Sequence, residues 1–248
     1  MCPAKIQILL LAMLSSVAAQ AGNWQFPALG EAVAVTNGEA VVSWGGHGGA
    51  LSPMHDAGNG WGSPAATNGS VRFSAGATPL ALPESATSLV SRVFVVATAT
   101  NLAERSTLLF ASTSVWLAPT PSGGFTLAPA LGGRVSSVTV NGLPEAPVLQ
   151  GERFLAEIVL ADPIAATVVF LGAHAATPLW QRGWQGDVHE VVMLGPEAPA
   201  QNVQAVRAFL SHFWRTPDAP PAPQNAQALL RGLGLSSHGF YTTLLVTH

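Results

Sequence analysis

The sequence predicts an all-β chain: two antiparallel sheets stacked as a jelly-roll sandwich, with one amphipathic helix near the C-terminus. Three observations carry this. Short runs rich in Val, Leu, Phe and Thr recur along the chain at strand length. Gly, Pro, Asn and Ser separate them, including the turn pairs Gly123-Gly124 and Asn141-Gly142. Only one long segment keeps a helical rather than an alternating spacing of apolar residues, so helices do not alternate with strands as they would around a parallel sheet.

The elements follow in order. Residues 1–5 carry one positive charge, residues 6–19 are mostly apolar, and Ala19-Gln20-Ala21 supplies a small-x-small cleavage site. That order is the signature of a secretory signal peptide over residues 1–21. The apolar run is shorter than the ~20 residues that cross a bilayer. Expected strands are Ala40 to Trp44, Ser70 to Ser74, Val93 to Thr100 and Thr107 to Ala111. Gly133 to Asn141, Arg153 to Leu160, Ala166 to Leu171 and Asp187 to Leu194 complete the set. From Pro199 to Trp214 the apolar stripe is Val203, Val206, Leu210 and Phe213, a helix with Pro at its start. Residues 216–223, Thr-Pro-Asp-Ala-Pro-Pro-Ala-Pro, predict an extended Pro-rich linker. The tail, 224–248, opens with a candidate short helix over Ala226 to Arg231 and is assigned no role.

Composition sets the function classes. The lone cysteine, Cys2, and the lone lysine, Lys5, both lie within the signal peptide. The mature protein, about 227 residues, is therefore expected to have neither disulfide nor thiolate chemistry. Nine arginines then face the 13 carboxylates, for a mature net charge of −4. Such a chain has no basic stripe for a phosphate backbone, which argues against nucleic acid as a partner. No later segment has the length and apolarity of a membrane span, so a secreted or cell-surface protein is expected. Only 9% of residues are charged, yet 48% are hydrophobic, which places the chain among folded rather than disordered sequences. A single sandwich domain over 22–215 accommodates that length.

The segment Trp184-Gln185-Gly186-Asp187-Val188-His189-Glu190-Val191-Val192, followed by the helix ending Phe209-Leu210-Ser211-His212-Phe213-Trp214, resembles the close of laminin-G-like domains. These belong to the concanavalin A-like lectin and glucanase superfamily, and typically end on G-x-[IV]-x-E-[IV] and an aromatic-rich helix. Upstream, Val42-Ser43-Trp44 with Asp56-Ala57-Gly58-Asn59-Gly60, then Ser70 to Phe73 and Val93 to Ala97, follow the family's order. The resemblance covers about Ala40 to Trp214. The sequence departs from the pattern at Gly45-Gly46, where an acid is expected, and at Ala57, where the family has Ser. The resemblance implies a concanavalin A-like jelly roll and an extracellular module that recognises glycan or protein through rim loops. That superfamily also holds glycoside hydrolases, and a purely structural surface role is a further alternative, since fold alone does not choose among them.

The superfamily's hydrolases place two carboxylates on one face of a strand, and a retaining glycosidase needs them about 5–5.5 Å apart. Asp187 and Glu190 are the nearest strand pair, and their odd spacing predicts opposite faces, so no catalytic residue is assigned. Glu190 is expected to be a structural hydrogen-bonding residue. His47, His55 and Asp56 share a Gly-rich stretch without the spacing of a zinc site. No metal ligand is assigned; the resemblance implies calcium at Asp56 and Asn59, the remnant of the rim-loop ion site of relatives, against the alternative that these two residues simply stabilise a turn. Trp44, Trp116 and Trp214 fall in strand or helix patterns and are expected in the core. Trp61 and Trp180 lie in loop-like sequence, where an indole can stack on a sugar ring. The expected ligand-binding set is therefore Asp56, Asn59, Trp61 and Trp180. Asn68-Gly69-Ser70 is also a glycosylation sequon.

Overall fold

The computed structural model describes residues 22–36, 39–54, 61–102, 106–111, 115–127, 135–173, 183–217 and 220–237. Two eight-stranded antiparallel sheets pack as a sandwich, followed by two C-terminal helices. The first sheet runs β13 (Leu143–Pro144), β12 (Val135–Val140), β14 (Arg153–Ala165), β8 (Leu89–Ala99), β16 (Gly186–Leu194), β6 (Ser70–Phe73) and β5 (Ala65–Thr67). β1 (Trp24–Pro27) joins it beside the C-terminal half of β16, with Trp24 opposite Met193 and Pro27 opposite Glu190. The second sheet runs β11 (Phe125–Leu127), β10 (Val115–Pro119), β9 (Leu109–Ala111), β15 (Val169–Leu171), β7 (Leu80–Ala81), β4 (Gly49–Pro53), β3 (Val41–Gly46) and β2 (Val33–Val35).

All eight expected strands are present, with shifted ends. β8 and β14, at 11 and 13 residues, are longer than predicted because they pair with each other across the middle of the sheet, from Arg153 opposite Thr98 to Ala165 opposite Leu89. Ala166–Val168 is instead a 3-10 turn that leads into β15. Asn141 adopts φ 52 and Gly142 φ 81, the paired positive values of a tight hairpin turn between β12 and β13.

The sandwich has two cores. Between the sheets, one apolar cluster holds Trp44, Phe73, Phe154, Trp184, Val188, Val191 and Met193 among others. Trp44 is fully buried, and its Nε1–H donates to the Pro27 carbonyl at 3.0 Å. A second cluster forms on the outer face of the first sheet. Phe94, Val96, Leu155, Val192 and Leu194 meet the helix α1 (Ala200–Trp214) and the helix α2 (Ala226–Gly232) there. Alternation along β16 supplies both clusters at once: Val191 and Met193 point inward, Val192 and Leu194 outward. The end of β16, Val191 to Leu194, is apolar on both faces because both faces are covered there.

The candidate short helix over Ala226 to Arg231 is present as α2, and the tail that was assigned no role has one in packing. α2 packs with α1: Ala226, Leu230, Leu233 and Leu235 are all buried in the outer cluster. The Pro-rich stretch is laid against α1 rather than free of it. Thr216 is buried, Ala222 packs on the outer cluster, and His212 Nε2 lies 2.8 Å from the Pro220 carbonyl. Arg215 closes α1 in the left-handed conformation, φ 53 and ψ 47, which turns the chain back across the helix. No described helix is long and apolar enough to cross a membrane.

Candidate functional site

Two polar regions stand apart. One lies beneath the helices, on the outer face of the first sheet. It begins with a β-bulge in β16: the register against β8 shifts between Val188 and Glu190. A bulge sets two residues against one and resets the alternation beyond it. Val188 faces the inner core, and so does Val191 three residues on, so Asp187, His189 and Glu190 all lie on the outer face. This corrects the expectation that Asp187 and Glu190 occupy opposite faces; strict alternation does not survive the inserted residue.

Their partners show what these acids do. Glu190 is fully buried; its Oε1 accepts from Gln25 Nε2 at 2.6 Å and its Oε2 from the Trp214 indole at 2.5 Å. Gln25 extends the chain of bonds, with its Oε1 accepting from the Ser236 amide at 2.6 Å and its Nε2 also donating to the Ser236 carbonyl at 3.0 Å. Glu190 thus ties β1, β16, α1 and the segment after α2 into one knot, as its structural expectation required. Asp187 forms a two-point pair with Arg72 at 2.9 and 3.1 Å and accepts from Ser70 Oγ at 3.1 Å. That pairing holds the largely exposed Arg72 above its ordinary pKa. Glu157, 3% exposed, is gripped by Arg92 and by both arms of Arg207 at 2.7 and 2.9 Å, which fastens α1 to β14.

His189 completes the region. Its Nδ1 lies 3.0 Å from the Gly69 carbonyl and its Nε2 3.0 Å from Thr98 Oγ1. A neutral ring satisfies both by donating from Nδ1 and accepting at Nε2. Burial pushes its pKa below the ordinary histidine value; Arg153 adds to that, while the Gly69 bond and Asp187 oppose it. Arg153 lies 5.4 Å from the centre of the Trp214 ring and donates to the Trp214 carbonyl at 2.7 Å. Its own pKa is lowered by burial and by Arg215.

The second region is a cleft of about 650 Å³ at one rim of the sandwich. Three short stretches and one residue build its wall: 22–24 leading into β1, 47–49 at the β3–β4 turn, 82–83 with 85–88 between β7 and β8, and Leu233 after α2. Trp24, Leu82 and Leu233 are buried there, at 3%, 5% and 7% exposure. Asn23, His47, Ser85, Thr87 and Ser88 supply polar atoms around them. None of the lining residues is Asp, Glu, Lys or Arg. This volume lies within the ~300–1,000 Å³ typical of small-molecule sites.

Local bonds fix this wall. Gln25 and His47 exchange backbone hydrogen bonds at 3.2 and 2.9 Å, which brings the β3–β4 turn against β1. The approach is close enough to demand glycine: a Cβ on Gly48, at φ 88, would lie 2.6 Å from Trp24 Cδ1. The Gly-rich stretch around His47 is therefore explained by backbone packing. Asn23 braces the opposite side; its Oδ1 accepts from the Gly195 amide at 3.2 Å and its Nδ2 lies 3.4 Å from the Leu233 carbonyl. The 83–88 loop bonds to itself and to the sheet, with the Ser88 carbonyl accepting from Ala166 at 2.9 Å.

Of the residues expected to bind ligand, Asp56, Asn59 and Trp180 lie outside the described residues, as does His55. Trp61 is described and is 8% exposed, so in this conformation its ring offers solvent no open stacking face. Its neighbour Gly62 is pinned by a bond to the Gly76 carbonyl at 2.8 Å. Among the described residues, no three His, Cys, Asp or Glu side chains gather as a metal site. The cleft residues were not anticipated. The Ser85, Thr87 and Ser88 hydroxyls are visible in sequence as turn composition, but nothing local links them to residues 22–24. No protein-family model matches the chain, and no curated protein is significantly similar to it.

Proposed function

We propose that this chain is an exported recognition module, secreted or held at the cell surface, that binds glycan or an extracellular protein without chemical turnover. In this reading the sandwich is a concanavalin A-like jelly roll of the laminin-G-like kind, and its contact surface is the rim at the cleft. The observation that carries the reading is the cleft itself: about 650 Å³, walled by rim segments, with hydroxyl, amide and imidazole groups around a buried apolar floor. Polar atoms that orient a ligand above an apolar base are the usual make-up of a binding pocket. The acids beneath the helices, by contrast, are engaged in holding elements together, so they supply no general acid and base to the rim.

The test is a glycan array probed with the protein from Gly22 onward, with and without calcium, alongside the variant Thr87→Trp. Thr87 is exposed on the cleft wall, so an indole there fills the opening without entering the core. Selective binding that Thr87→Trp abolishes is the expected result. Loss of binding on chelation would direct the site to the Asp56 and Asn59 segment instead. A blank array from folded protein would rule out the glycan arm and leave a protein partner, sought next by pull-down.

A further inference from the structure

Gly22, the first residue after the expected cleavage site, is part of the cleft wall. Its position is tight. A Cβ there would lie 2.7 Å from two carbons of the Trp24 ring and 2.9 Å from Ser88 Cβ. Real Cβ contacts are essentially never that short, so glycine lets the backbone seat directly between the indole and the β7–β8 loop. Cleavage before Gly22 therefore leaves a free α-ammonium at the cleft, where no lining side chain is Asp, Glu, Lys or Arg. His47 is the one titratable side chain in the lining, and Glu84 lies between the lining residues Pro83 and Ser85 without joining them.

We propose that maturation completes this cleft, and that its ligand is a carboxylated sugar, a uronate, whose carboxylate pairs with the α-ammonium of Gly22. The inference rests on the rim-cleft reading above and on cleavage before Gly22. The Ser85, Thr87 and Ser88 hydroxyls and the Asn23 amide meet the ligand's hydroxyl groups, and the apolar base around Leu82 and Leu233 takes its ring. A cation in a wall of neutral donors selects a single negative charge, because a charge-assisted hydrogen bond is about twice as strong as a neutral one. The precursor, with an amide in place of the amine, lacks that charge.

The sequence makes the test clean. Lys5 is the only lysine of the chain and departs with residues 1–21, so Gly22 carries the only primary amine of the mature protein. Acetylation with an amine-selective reagent removes that charge alone, and reductive dimethylation modifies the same atom while keeping it. Binding of galacturonate and glucuronate oligomers is measured by calorimetry against their neutral counterparts, for unmodified, acetylated and dimethylated protein and for Thr87→Trp. Circular dichroism checks the fold of each. The expected result is preference for the uronides, about tenfold or more weaker binding after acetylation, a small change after dimethylation, and loss in Thr87→Trp.

Equal binding of neutral and acidic oligomers would overturn the uronate assignment and leave the recognition reading standing. Uronide binding untouched by acetylation would do the same. Uronide binding that survives Thr87→Trp would place the site elsewhere and overturn both the inference and the cleft assignment.

Discussion

The covered face of the first sheet and the rim cleft invert the usual relation between charge and function. Beneath the helices, Asp187, Glu157 and Glu190 are buried or nearly so, and each is held by named donors. At the rim, the cleft is walled by residues none of which is Asp, Glu, Lys or Arg. Buried carboxylates demand partners, and once paired they fix the arrangement of the elements that supply them. Glu157 and Glu190 dock α1 on the sheet, and Asp187 ties β16 to β6. A search for function that follows the carboxylates therefore arrives at the architecture, and the neutral cleft is the surface left open.

Breaking the knot tests the first half of that contrast most strongly. Glu190→Ala strands the Trp214 indole and the Gln25 amide in a buried site and should cost about 3 kcal/mol, measured by urea unfolding. A loss below about 1 kcal/mol would mean that Glu190 is not a structural residue. Leu230→Ala comes next, at about 2–3 kcal/mol, because Leu230 is 1% exposed between α2 and the outer cluster. An unchanged denaturation midpoint would show that residues beyond the Pro-rich stretch contribute nothing to the domain.

The pH dependence sharpens the same side. The folded pKa of His189 is depressed, so the unfolded chain binds its proton first. His189 therefore contributes stability that is complete above the ordinary histidine pKa and declines as pH falls through it. Thermal melts between pH 7.5 and 5 should show this fall, and His189→Gln should flatten it; an identical profile in the variant would exclude the histidine as its source. The smallest effect belongs to the other side. Thr87→Trp, on an exposed loop residue, should shift stability by no more than about 0.5 kcal/mol while removing ligand binding.

Strand existence was legible where β-branched runs are long, as in β8, β14 and β16. The three-residue strands β2, β5 and β11 have no long apolar run of their own and are strands because β3, β6 and β10 pair with them, whereas β9 and β15, equally short, fall within the expected runs Thr107 to Ala111 and Ala166 to Leu171. The stripe of α1 was legible too, with Trp214 buried as expected, although Phe209, outside the stripe, is buried while Phe213, within it, packs only partly. The face of Glu190 was misjudged because a bulge has no composition. The candidate site was the least legible part. Residues 22, 47, 87 and 233 meet only after both sheets and α2 have assembled, and no local pattern encodes that meeting.

The hydrogen bonds from Gln25 to Glu190 and Ser236 span 165 and 211 positions of the chain. A ribosome adding about 5–20 residues per second delivers Ser236 on the order of ten seconds or more after Gln25. For most of that interval β1 has no β16 to pair with, and the Gln25 bond to Glu190 does not exist. Such non-local closure slows folding. Under the export proposed above, delay would be an advantage: the polypeptide would reach the translocation channel while it can still be threaded, and the knot would tie only on the far side.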